Sequence, residues 1–368
     1  MPQVWQVRVK GQDGALAGVL TGQEDGFTGF SFNRTVNSPG SFLLLFMRRA
    51  SETMTEFLAR TAIFEQDGQV EFWRRYPGAG IDWQQEAEYL TLSRRTYTTV
   101  EGGTMMYVGG RGYLDLIGRR IVAAYTQSGE AYKTGPAESV IKEYVDEQAG
   151  PGAGARALPG LTIEADAGGG VWGGPWGKQY QGLLDTIQEI RQDGGGDFDV
   201  VGTGPATFEF RWYEGQRGTD RTANVLFSLG RGNMGQPELS LEHQSEINAV
   251  LVGGQGEEQF RAWSWRTDAA RIAASPWGRR ERFRDARQEP DPAGLDALGD
   301  EFLAEGAPKE LLTFKPLQVP GTLLGKDYFL GDLVTGSYAG YTTTKHVHSY
   351  TYTWNQDTQG VTVELTDA

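Results

Sequence analysis

Trp5, Val7 and Val9 alternate with Gln6, Arg8 and Lys10, and this period of two returns in segment after segment of the chain. A chain with that period can bury one side of a pleated strand and wet the other, so the pattern commits most of it to half-buried β-structure. Between residues 4 and 100 it recurs in GFSFNRTV (29–36), GSFLLLF (40–46), TAIFEQ and QVEFWRRY on either side of Asp67-Gly68, and YLTLSRRTYTTV (89–100). Asp-Gly between two such runs predicts a hairpin, and strands so closely spaced predict a small barrel or sandwich.

The period changes near residue 110. GYLDLIGRRIVAA can form a helix with Leu114, Ile117 and Ile121 on one face. GPAESVIKEYVDEQAG is a clearer helix, opened by Pro136, striped by Val140, Ile141, Tyr144 and Val145, and stopped by Gly150. YQGLLDTIQEIRQDGGG repeats the formula with Leu183, Leu184, Ile187 and Ile190, and PGAGARALPG reads as a loop. The strands FDVVG, ATFEFRWY and NVLFSLG follow. After residue 240 alternation returns in INAVLVGG, EQFRAWSWR, ERFRDAR, LLTFKPLQV, YFLGDLVTG, TKHVHSYTYTW and GVTVELT, with one helix near 293–305 carrying Leu295, Leu298 and Phe302. The expected division is β-rich 1–108, an α+β part at 109–239 and β-rich 240–368. The outer parts are alike in strand count, which suggests a duplicated architecture without a residue-level repeat.

With 368 residues the chain exceeds what one core holds. The absence of cysteine excludes disulfides, thiolate metal sites and cysteine nucleophiles. The 34 Lys and Arg against 48 Asp and Glu leave a net charge of −14, which disfavours general affinity for nucleic acid or anionic lipid. The longest wholly apolar run, FLLLFM at 42–47, is far short of the ~20 residues of a membrane span. The amino terminus lacks a signal-peptide core, so synthesis in a cytoplasm without self-encoded export is expected.

Gly253-Gly254-Gln255-Gly256 resembles a phosphate-cradling turn, but such a cradle needs a helix amino terminus after the glycines. Here Glu257 and Glu258 stand where a phosphate would approach, and Trp263 and Trp265 continue in strand period. No Gly-Lys-Ser/Thr follows, so a hairpin turn needing positive φ is expected. His346 and His348 would share a strand face and can share a metal, yet no third ligand lies near them, nor does His243 complete a set. Asp197 and Asp199 have the look of a glycosidase pair, though close acid pairs are common among so many carboxylates. The ten tryptophans can stack on sugars but are expected mostly in the core. RRERFRDAR at 279–287 can touch nucleic acid, but Glu281 and Asp285 favour a salt-bridged strand or a subunit contact. No Gly-x-Ser-x-Gly elbow occurs, and no catalytic residue, metal ligand or cofactor is nominated.

The order DRTANVLFSLGRGNM (220–234), EINAVLVGGQGEEQFR (246–261), GRRERFRDARQ (278–288) and YFLGDLVTG (328–336) resembles the tail hub proteins of long-tailed bacteriophages, the amino-terminal part of the tail-associated lysin or tip-attachment protein. Upstream, SFNRTVNSPGSFLLLF is similar to the family's first strand pair, GRGYLDLIGRR and GPAESVIKEYVDE to its middle helices, and GGGDFDVV to the strand after them, so the resemblance spans roughly 27 to 366. It implies a mainly β fold with an α+β insertion: two tail-tube-like β-barrels, at 1–108 and 240–368, flank a small α+β domain at 109–239. Three subunits would form a ring that joins a sixfold tube to a threefold tip. The implied partners are the protein itself as a homotrimer, the distal tail protein, the tail tube protein, the tape measure protein and tip fibres or receptor-binding proteins. DNA would pass only transiently, and an acidic channel would let it slide. The place implied is the virion tail tip of a phage or phage-derived particle, assembled in the host bacterial cytoplasm. Many relatives continue into lytic domains, whereas this chain ends after GVTVELTDA, so no fused lytic activity is expected. The rival reading is a carbohydrate-binding or glycan-active β protein, and a third is a metal hydrolase built on His346 and His348.

Overall fold

A computed structural model describes residues 3–22, 27–123, 131–257, 260–355 and 358–367. Two compact units emerge, one made of Met1–Gly235 with Lys315–Ala368 and the other of Gln236–Phe314.

In the first unit, β1 (Val4–Lys10) buries Trp5, Val7 and Val9 as the alternation requires. It pairs with β2 (Leu16–Leu20). β3 (Phe27–Thr35) and β4 (Ser38–Met47) form a hairpin whose turn holds Asn37 at φ 57°, a left-handed conformation that asparagine tolerates. The expected strand TAIFEQ is absent: α1 (Met54–Arg60) runs up to it, and turns follow. The cause is a capping box, in which Glu56 N–H donates to Thr53 Oγ1 (3.2 Å) and Thr53 N–H donates to Glu56 Oε2 (2.7 Å). Asp67 takes the left-handed turn at φ 59° and leads into β5 (Gln69–Tyr76), then β6 (Ile81–Thr98) and β7 (Thr104–Arg111).

The helix expected over GYLDLIGRRIVAA shrinks to one turn, α2 (Asp115–Gly118). Leu114 and Ile117 are buried as read, but Ile121 then bridges Gly182 and Val122 N–H donates to Gln181 O, so extended pairing outcompetes the helix after Gly118. β8 (Ala131–Pro136) precedes α3 (Ala137–Gln148); β9 (Leu161–Ile163) and β10 (Trp172–Lys178) come before α4 (Leu183–Gly194). Both long helices bury the stripes seen in the sequence, Val140, Ile141, Tyr144 and Val145 against Leu183, Ile187 and Ile190. They share that core with β11 (Asp197–Gly204) and β12 (Thr207–Tyr213), through Phe198 and Phe210. β13 (Leu226–Ser228) follows.

β14 (Met234–Glu242) leads into the second unit, where β15 (Ala249–Gly253) lies between β16 (Trp263–Thr267) and β17 (Glu281–Asp285). α5 (Ala269–Ala274) links the last two, and α6 (Pro292–Glu305) covers one face with Leu295 and Leu303 against Val250 and Val252. Asp291 caps α6 and Pro292 opens it, the start signal that places this helix where the sequence located it. β18 (Lys309–Pro316) pairs with β14.

β19 (Leu333–Tyr338), β20 (Tyr341–Asn355) and β21 (Gln359–Asp367) end the chain. The expected division set them with residues 240–314, but they join the amino-terminal strands. Tyr352 of β20 pairs with Phe32 of β3, and the result is one eleven-stranded sheet in the order β13-β19-β20-β3-β4-β7-β6-β5-β1-β2, with β21 on β20. The reason is aromatic: Trp5 lies 5.0 Å from Phe30 and 5.2 Å from Tyr352, and Phe32 lies 4.6 Å from Phe72, ring centroid to centroid. The fold is mainly β, and no sheet among the described residues closes into a barrel.

Candidate functional site

The glycine cluster is no phosphate cradle. β15 ends at Gly253 and β16 begins at Trp263, antiparallel to it, so a strand follows the glycines. The hairpin is confirmed, with a longer connection than a tight turn; Glu258, one of its two acids, lies outside the described residues. Gly256 alone of the cluster has positive φ, at 110°, and an added Cβ would sit 2.5 Å from Phe260 O. The Arg261 guanidinium donates to Gly253 O (2.8 Å) and Gly254 O (3.0 Å), so a cation already organises the loop.

His346 and His348 do stand together on β20, their ring centroids 6.5 Å apart. Among the described residues no three His, Asp or Glu side chains gather as a metal site. Burial holds the His346 imidazole below its usual pKa, and its Nε2 lacks a hydrogen-bond partner. His243 pairs instead with Glu246, Nδ1 to Oε2 at 3.0 Å.

Asp197 and Asp199 are ion-paired within the fold. Asp197 is buried and accepts from Asn37 Nδ2 (2.7 Å), Arg191 Nη2 (3.0 Å) and Arg217 N (2.8 Å). Asp199 pairs with Arg217 and, at 3.5 Å, with Arg34. The two arginines line a cavity of about 270 Å³ with Gln84, Glu86, Phe329 and Tyr350. Tyr350 donates to Glu86 O (3.1 Å) and Tyr89 to Asn33 O (2.7 Å), and burial raises both phenol pKa values, keeping them as neutral donors. Every charged or phenolic group here has an internal partner, which is how a fold fastens layers together.

The arginine run forms β17 as read. Arg279 pairs with Glu281 (3.6 Å), Arg280 with Glu246 (3.2 Å) and Arg287 with Asp285 (3.2 Å).

A surface that local reasoning missed lies on the far side of β4, β7 and β6. Phe42, Leu44 and Phe46 point into the core, so Leu43, Leu45 and Met47 point out, in register with Gly109, Tyr107 and Met105 of β7. Tyr107 and Met105 in turn face Arg95 and Tyr97 of β6, and the rings of Tyr97 and Tyr107 stack at 5.5 Å. Leu43 and Met47 are each 46% exposed. The signal was present in FLLLFM: a strand apolar at every position is apolar on both faces. Beyond Leu92 the β6 arm of the β6–β7 hairpin is exposed or half-buried, whereas Thr104, Met106 and Val108 of the β7 arm are buried, and Val100 stands exposed at the tip.

Whole-chain comparisons agree with a tail protein. The fold is similar to the tail protein from Neisseria meningitidis MC58 (13% identity, TM-score 0.53, covering 99% of this chain and 96% of that one). It is also similar to the prophage MuSo2 43 kDa tail protein from Shewanella oneidensis (12%, TM-score 0.55, 99% and 98%). A third likeness is to a chain of the lidless PdpA-VgrG complex (8% identity, TM-score 0.57); this chain covers 65% of that chain and is itself wholly covered. No curated protein sequence matches. The model of the Siphovirus ReqiPepy6 Gp37-like family spans residues 7–366, so the chain belongs to that family, and its fold is that of phage tail proteins.

Proposed function

We propose that this protein is the structural hub of a tail tip or baseplate: a homotrimer that adapts the sixfold tube to a threefold end and closes or gates the DNA channel. The observation that carries this reading is the apolar outer face of β4, β7 and β6, which a tail protein can bury only against another chain. In this reading two tube-like elements per subunit supply six wall segments, and the distal tail protein, tube, tape measure and tip fibres dock around them. The work is mechanical, with no bond made or broken. An excess of fourteen negative charges suits a channel along which DNA slides.

The test is the mass in solution. A protomer of 40.4 kDa should sediment at about three times that mass. Full burial of a Leu or Met side chain is worth ~1.5–3 kcal/mol, so the exposed halves of Leu43 and Met47 contribute about 2 kcal/mol per protomer together. Leu43→Glu with Met47→Glu should weaken association by about thirtyfold or more. A parent that stays monomeric at high concentration, or a double variant that trimerises as the parent does, would refute the proposal.

A further inference from the structure

β17 is an edge strand: β15 lies on one side, among the described residues nothing pairs with the other, and all five of its residues are exposed. Such an edge offers an open row of backbone donors and acceptors. Its two faces differ in chemistry. Toward α6 it presents Arg282 and Arg284, the latter 5.3 Å above the Phe302 ring. Arg282 donates to the carbonyl of Glu281 (3.2 Å), and among the described residues neither arginine has a carboxylate at ion-pair distance. That sets them apart from Arg279, Arg280 and Arg287. On the opposite face Phe283 and Trp265 flank Leu251 in register and form an apolar strip exposed to water.

We propose that the free edge of β17 docks an extended segment of another protein in which acidic and apolar residues alternate, added to the sheet as a fourth strand. Its backbone would take up the open row, its carboxylates would meet Arg282 and Arg284, and its apolar side chains would extend the Leu251, Trp265 and Phe283 strip. Charge argues against a second copy of the same strand. An antiparallel pair about a twofold axis must match residues of one face, and each centred register, on Arg282, Phe283 or Arg284, sets arginine against arginine. Glu281 and Asp285 on the same strand work against a nucleic-acid backbone.

The test uses the whole protein and a labelled peptide of alternating glutamate and valine, with its lysine and valine counterpart as control. The glutamate peptide should bind and slow amide exchange within residues 281–285, and the lysine peptide should not. Losing a charge-assisted hydrogen bond corresponds to about a tenfold loss in affinity, so Arg282→Glu with Arg284→Glu should abolish binding. The same variant should acquire affinity for the lysine peptide, which shows that it remains folded. Equal binding of both peptides, no binding to the parent, or glutamate-peptide binding unchanged in the variant overturns the proposal. So does self-association, or affinity for single-stranded DNA, that the double variant removes.

Discussion

Asp197→Ala should separate the role of a fold fastener from that of a surface acid. The carboxylate is 1% exposed and accepts from Asn37 Nδ2, Arg191 Nη2 and the amide of Arg217. Asn37 stands at the tip of the β3–β4 hairpin and also accepts from Phe198 N (2.8 Å), so the acid ties the large sheet to the α+β layer. Removing it strands the Asn37 amide and the Arg217 N–H. Neutral hydrogen bonds contribute ~1 kcal/mol each and charged ones ~1.5–3 kcal/mol. Arg191 is 36% exposed and can rehydrate, so the expected loss is about 3 kcal/mol, below the upper range for broken buried pairs. At about 2–4 °C per kcal/mol for a domain above 150 residues, the melting midpoint should fall by about 6–12 °C. The control is Asp82→Ala, whose carboxylate is 87% exposed, 3.3 Å from Arg75, and should cost at most about 0.5 kcal/mol. Calorimetry with near-ultraviolet dichroism reads both. If the two variants melt together, the fastening argument is wrong.

Gly110→Ala should be among the most damaging single methyl additions, since a Cβ there would lie 1.8 Å from Leu90 O and 2.7 Å from the Phe42 ring; loss of soluble protein or of the cooperative melt is expected, and a parent-like melt would contradict the packing. His346 predicts an acid-side weakness. Burial lowers its pKa in the folded state below the ordinary 6.5, so the unfolded chain takes up the proton first. Stability from the neutral imidazole is present above about pH 6.5 and is lost as pH falls toward the depressed folded value. His346→Gln should therefore lose less of its melting temperature between pH 7.5 and 5.5 than the parent does, and an equal loss would refute this.

Some of this architecture was legible locally and some was not. α3 and α4 came from stripes at helical spacing between proline or glycine stops, and α6 from Leu295, Leu298 and Phe302 at the same kind of spacing. TAIFEQ misled because Thr53 and Glu56, just upstream, cap a helix that period two does not register. β8 and β10 were invisible because VWGGPWGK is glycine-rich and its Trp172 stands exposed, so no apolar alternation marks it. Among candidate site residues, the arginine run was read correctly as a salt-bridged strand, but Arg282 and Arg284 could be told apart from their neighbours only once partners had positions. The outer apolar face was written in FLLLFM, yet a doubly apolar strand is equally consistent with burial on both sides.

By itself the sequence determined the local periods: which stretches pleat, which coil, where turns need positive φ, and that no thiol or disulfide chemistry is available. These depend on neighbours within a few residues, so they survive without the fold. Tertiary structure alone decided that β20 leaves residues 240–314 and pairs with β3. It decided too that Asp197 is fastened from three directions and that one edge and one face stay open. Pairing partners more than 300 residues apart are chosen by which aromatic faces can share a core, here Tyr352 with Trp5 and Phe32. That choice depends on the summed packing of the whole chain, which no local period encodes.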